Sequence, residues 1–127
     1  MNDKCSVLVV EDNESNLELF ADFLDLGGYK CLRAATGEEA ITIARKEHPD
    51  LVLLDIKLPG IDGLTVASIL KKDTETQDIK VAALTAYASK GDRSVFANEK
   101  FDGYISKPVS MKQFLKTVDE ILSGQCP

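Results

Sequence analysis

The sequence predicts an α/β domain built on a five-stranded parallel sheet, strand order 2-1-3-4-5, with helices on both faces. Three observations predict it. Short, wholly apolar runs recur along the chain. Longer segments with helical apolar spacing lie between them. Polar residues suited to chemistry fall just after the apolar runs. Uninterrupted apolar runs suit parallel strands covered on both faces. Their alternation with helices implies right-handed crossovers, which leave few possible arrangements. The order 2-1-3-4-5 is taken by analogy with five-stranded doubly wound sheets.

The elements follow in order. Val7-Leu8-Val9-Val10 reads as the first strand, Leu51-Val52-Leu53-Leu54 as the third and Val81-Ala82-Ala83-Leu84 as the fourth. Cys31-Leu32 and Tyr104-Ile105 are weaker strand signals. Leu17, Phe20, Ala21 and Leu24 repeat at helical spacing, as do Ala40, Ile43 and Ala44. Phe114, Leu115, Val118, Ile121 and Leu122 form the clearest stripe. Thr36 with Glu39, and Ser110 with Gln113, read as capping boxes. Gly27-Gly28 closes the first helix, and Asp62 before Gly63 reads as the cap of the third.

Length and charge narrow the function. The 127 residues suit one domain, 1–127. With 15 basic against 21 acidic residues, the net charge of -6 disfavours a nucleic-acid partner. No apolar run approaches the ~20 residues of a membrane span, and the opening residues are too short a stretch for a secretory signal. A cytoplasmic protein is expected. Cys5, Cys31 and Cys126 match no metal-binding spacing; Cys5 and Cys31 read as small core residues in a reducing compartment. His48, beside Pro49, stands where it can help cap a helix C-terminus.

The chemistry gathers at the strand ends. Glu11 and Asp12 follow the first strand, Asp55 the third, Thr85 the fourth and Lys107 the fifth. Ligands of open α/β sheets bind outside the carboxyl ends of the strands, where the winding reverses. In the order 2-1-3-4-5 that point lies between strands one and three. Glu11 and Asp12 should therefore meet the distant Asp55 there, and the three carboxylates repel one another unless a cation neutralises them. A hard divalent ion such as Mg²⁺ suits such oxygen donors. A carboxylate nucleophile, Mg²⁺, a lysine and a hydroxyl together suit phosphoryl transfer onto Asp55.

Four segments carry a resemblance. Val9-Val10-Glu11-Asp12-Asn13, Leu54-Asp55-Ile56-Lys57-Leu58-Pro59-Gly60-Ile61-Asp62-Gly63, Leu84-Thr85-Ala86 and Ile105-Ser106-Lys107-Pro108 resemble the signature segments of bacterial two-component response-regulator receiver domains. The likeness runs from about residue 5 to about residue 123 and extends to the small DivK-like regulators. It implies a flavodoxin-like fold and a phosphoacceptor rather than an enzyme with a separate substrate. By it, Asp55 accepts the phosphoryl group, and Asp12 binds Mg²⁺ (Mn²⁺ can substitute), with Glu11 acting through water. Lys57 contributes its main-chain carbonyl to the metal. Thr85, Lys107 and the Ala86 amide hold phosphoryl oxygens, Tyr104 is the aromatic switch, and the Lys107-Pro108 bond is cis. The implied partners are a sensor histidine kinase or histidine phosphotransfer protein and a downstream protein. The downstream target docks on the face of the fourth helix, fifth strand and fifth helix. Neither nucleic acid nor membrane is implied.

Plainer readings stand beside these. Asp12 or Asn13 can simply cap the first helix, Asp55 can be a turn residue, Thr85 can cap a helix, and Tyr104 can be an ordinary sheet residue. A haloacid-dehalogenase-type phosphatase also uses an aspartate nucleophile. It needs a second aspartate where Lys57 stands. A flavin or nucleotide carrier wants a glycine-rich loop where the acidic run Glu11-Asp12-Asn13-Glu14 lies. A phosphorylation-independent interaction module and a receiver piece of a larger regulator remain as alternatives.

Overall fold

The structure, a computed structural model, describes residues 5–55, 63–85, 103–106 and 110–122. In order these form β1 (Ser6–Val10), α1 (Glu14–Leu26), β2 (Lys30–Ala34), α2 (Gly37–Glu47), β3 (Leu51–Asp55), α3 (Gly63–Lys72), β4 (Lys80–Thr85), β5 (Gly103–Ser106) and α4 (Met111–Ile121). The expected fourth helix would fall on 86–102, outside the described residues, as do Asp62 and the Lys107-Pro108 bond. The helix labelled α4 is therefore the one expected as fifth.

The strands form one parallel sheet, order β2-β1-β3-β4-β5. Every residue of β3 is buried, whereas β2, at an edge, is largely half-exposed. Successive strand residues point to opposite faces, and two cores result. Val7, Val9, Leu51, Leu53, Ala82 and Leu84 join Phe20 and Leu24 of α1 and Phe114 and Val118 of α4. On the other face Leu8, Val10, Val52, Leu54 and Val81 join Ala40 and Ala44 of α2 and Val66, Ala67 and Leu70 of α3. On the first face Phe20 and Phe114 stack with centroids 5.4 Å apart, and Phe23 leans on Phe114 at the same separation.

The caps explain where the helices start and stop. Asn13 caps α1, its Oδ1 accepting the Asn16 amide at 3.0 Å. Thr36 caps α2 through the Glu39 amide, and Ser110 caps α4 through the Gln113 amide. The expected box at α2 is shifted by one residue: Glu39 reaches back to the Ala35 amide at 2.8 Å, not to Thr36. Helix α1 ends at Gly27, and Gly28 takes the left-handed φ of 86° that glycine tolerates best. His48 does end α2, but by its backbone. It is left-handed at φ 48° and its N–H donates to Ala44, while its ring meets Asp78 at 3.2 Å. The sheet's amino ends are tied by Asp50, whose Oδ2 accepts the Ser6 amide at 2.9 Å. Cys5 is buried, as a core residue should be, and it is also disulfide-bonded; half-buried Cys31 is a free thiol.

Candidate functional site

The sheet register brings the acids together. Val10 in β1 pairs with Leu54 in β3, so the next residues, Glu11 and Asp55, emerge level with each other. Adjacent strands run only about 4.8 Å apart. Asp55 is the last residue of β3, one step inside the position the apolar run suggests, and pairs with Leu84 of β4. The Glu11 amide donates to the Ala34 carbonyl at 3.0 Å, extending the β1–β2 ladder by one rung and fixing the direction of Glu11.

Carboxylate oxygens of Glu11, Asp12 and Asp55 all lie within 4.8 Å of one another. Glu11 and Asp55 are buried and Asp12 is exposed. The cluster thus has two walls under cover and one open to solvent. The Asn13 amide donates to Glu11 Oε2 at 3.3 Å. Asn13 therefore starts α1 with its side chain and steadies Glu11 with its backbone, a positioning role that the sequence reading missed. The usable signal was its place, two residues beyond Glu11. The alternative that Asp12 caps α1 falls away, because Asn13 holds that post. Three hard oxygen donors at this spacing fit a small divalent cation such as Mg²⁺.

Among the other expected site residues, Thr85 closes β4 opposite Ser106, and Tyr104 sits in β5 opposite Ala83. The sheet thus puts the end of β4 beside β5, on the far side of β3 from β1. Lys57, Ala86 and Lys107 lie outside the described residues. No helix among the described residues is long and apolar enough to cross a membrane.

A doubly wound α/β domain with an acidic cleft at its switch point is an architecture of phosphoacceptor and nucleotide-handling proteins. The model of the response regulator receiver domain matches residues 7–119, and the chain belongs to that family, a component of two-component signalling. It is 45% identical to the polar-differentiation response regulator DivK of Brucella ovis, over 92% of this chain and 95% of the relative. The CheY-like receiver domain protein of Methanospirillum hungatei superposes with a TM-score of 0.86 at 30% identity, with 96% of each chain covered. The receiver domain of the sensor histidine kinase PA1611 of Pseudomonas aeruginosa, solved with a magnesium ion coordinated in its active-site cleft, gives a TM-score of 0.87 at 26% identity. That match covers 95% of this chain and 99% of the other.

Proposed function

We propose that the chain is one receiver domain, residues 1–127, that accepts a phosphoryl group on Asp55 and signals by protein–protein contact in the cytoplasm. The observation that carries the reading is the carboxylate cluster of Glu11, Asp12 and Asp55 at the carboxyl ends of β1 and β3. The donor is a phosphohistidine of a kinase or phosphotransfer protein. A carboxylate oxygen of Asp55 attacks phosphorus, the P–N bond breaks, and the imidazole leaves with the bonding pair, leaving an acyl phosphate on Asp55. As the family resemblance implies, Asp12, Asp55, the Lys57 carbonyl and, through water, Glu11 would hold the cation. When bound, Mg²⁺ supplies positive charge to the phosphoryl oxygens and relieves the repulsion among the carboxylates. Thr85, the Ala86 amide and Lys107 take the remaining oxygens, as the family resemblance implies.

The acyl phosphate becomes a signal through differential binding. An equilibrium shifts only by the difference in a ligand's affinity for its two states. Charge-assisted bonds from Thr85 and Lys107 to the phosphoryl group supply such a difference, and Tyr104 reports it on the face that the resemblance assigns to the fourth helix, fifth strand and fifth helix.

The test is intact-mass spectrometry after incubation with acetyl phosphate and Mg²⁺, on the natural chain and on Asp55→Asn. The expected result is one hydroxylamine-labile phosphoryl adduct, absent with EDTA and absent in the variant. An adduct that survives Asp55→Asn moves the acceptor elsewhere. No adduct from acetyl phosphate or from a phosphorylated histidine phosphotransfer protein leaves an interaction module that works without phosphate.

A further inference from the structure

β2 is the edge of the sheet opposite β5, and among the described residues it pairs with β1 alone. The Lys30 amide donates to the Cys5 carbonyl at 3.1 Å, and the Ala34 carbonyl accepts the Glu11 amide at 3.0 Å. Backbone direction alternates along a strand. Lys30, Leu32 and Ala34 therefore turn their N–H and C=O groups toward β1, while Cys31 and Arg33 turn theirs outward, away from the sheet. Beside this edge runs an open groove of about 490 Å³, lined by Arg33, Glu38, Glu39, Thr42 and Ile43. Ile43 packs against the same core as Leu32, so the groove has an aliphatic wall next to the strand.

Charge selects what can pair there. Lys30 and Arg33 are exposed. Arg33 contacts the Cys31 sulfur, but neither cation forms an ion pair among the described residues. In the groove the Ala35 amide occupies Glu39, whereas Glu38 is exposed without an ion pair among the described residues. Cations on an edge discourage a second copy from pairing, because like charges would then share one ladder. A strand of opposite charge meets no such penalty.

We propose that the β2 edge is a docking site for an extended, acidic segment of a partner protein, which adds a strand to the sheet. Antiparallel addition pairs its backbone with the outward groups of Cys31 and Arg33. In that register one acidic residue stands opposite Arg33 and another opposite Lys30. A branched apolar residue stands opposite Leu32, against Ile43, and a lysine ahead of the first acid reaches toward Glu38. Because β5 lies at the other edge, the docked segment leaves β5 uncovered. The site holds a partner without competing for the face assigned to signalling.

The test titrates the full chain with a peptide of core sequence Lys-Glu-Val-Thr-Glu, blocked at both ends. Amide hydrogen exchange and the fluorescence anisotropy of a labelled copy are followed. Exchange at Cys31 and Arg33 should slow on binding, while exchange at Leu32, whose amide already serves the β1 ladder, should stay the same. Methylating the peptide amides that face the edge should abolish binding; methylating the alternate amides should not. Arg33→Glu should weaken the peptide about tenfold, and a peptide with lysine in place of both acids should prefer that variant to the natural chain. Unchanged exchange at Cys31 and Arg33 in millimolar peptide, or equal binding of the two methylated peptides, overturns the proposal. Slow exchange at both residues without peptide, together with a dimer in sedimentation, gives the edge to a second copy and overturns it as well. Phosphoryl uptake on Asp55 is scored separately, so failure here is distinguishable from failure of the receiver reading.

Discussion

Glu11 is buried, yet its oxygens lie within 4.8 Å of those of Asp12 and Asp55. Three carboxylates at that spacing repel one another. A cation that binds only the folded chain offsets this repulsion. At one hundred times its Kd it adds about 2.7 kcal/mol to stability. Mg²⁺ should therefore raise the unfolding midpoint, and EDTA should restore it. Asp12→Asn should weaken the Mg²⁺-induced shift about tenfold or more in concentration while leaving the metal-free midpoint equal or higher; calorimetric titration reads both. Asp73 is a different carboxylate. The Glu75 amide, first, and the Arg45 guanidinium at 2.6 Å hold it below the ordinary carboxylate range. Its folded-state pKa is depressed, so the contribution is complete above about pH 4, the unfolded value, and is lost as pH falls through the folded value. Asp73→Asn should remove that part of the acid dependence, read as urea midpoints between neutral and acidic pH.

At the scale of elements, α4 is held at three places. Ser110 caps its start, the Tyr29 hydroxyl donates to Asp119 across to the α1–β2 connection, and Gly103 of β5 lets Ile121 close over the strand. A Cβ on Gly103 would stand 2.5 Å from Ile121 Cδ1 and 3.0 Å from its Cγ1. Gly103→Ala should cost about 1–3 kcal/mol of overpacking, and Ile121→Ala in the same chain should recover part of it. A strictly additive double-mutant cycle, measured by urea unfolding, would contradict this contact. These elements also show how far the sequence could be read. Thr36, Ser110 and Gly27 announce their roles by local chemistry, which acts within three residues. The displaced Glu39 bond and the ring of His48 turning to Asp78 depend on where the chain goes next, and no spacing rule carries that. Glu11, Asp12 and Asp55 were legible as a group because strand register, once the order is assumed, determines their meeting. The second task of Asn13 was not, because a single amide has no sequence signature.

For the whole molecule, the sheet separates two cores, and the cleft sits on neither. Phe114, fully buried between Phe20 and Phe23, anchors one side. Phe114→Ala should cost about 3–5 kcal/mol, a large share of the 5–15 kcal/mol typical of a domain. Ala82 and Leu84 of β4 back onto that same core. Phe114→Leu should lose less stability and still take phosphate on Asp55, because β1 and β3 are also clasped from the opposite side by α2 and α3.

The crowding of three acids at one strand end also sets a direction of drift. Neutral residues at positions 11, 12 or 55 relieve repulsion in metal-free buffer, so a library sorted for heat resistance alone should be drawn to those positions first. Its survivors would be sturdier and mute. Descent that keeps all three acids must then be rewarded for responsiveness at the expense of durability, and the cleft is where the two demands part.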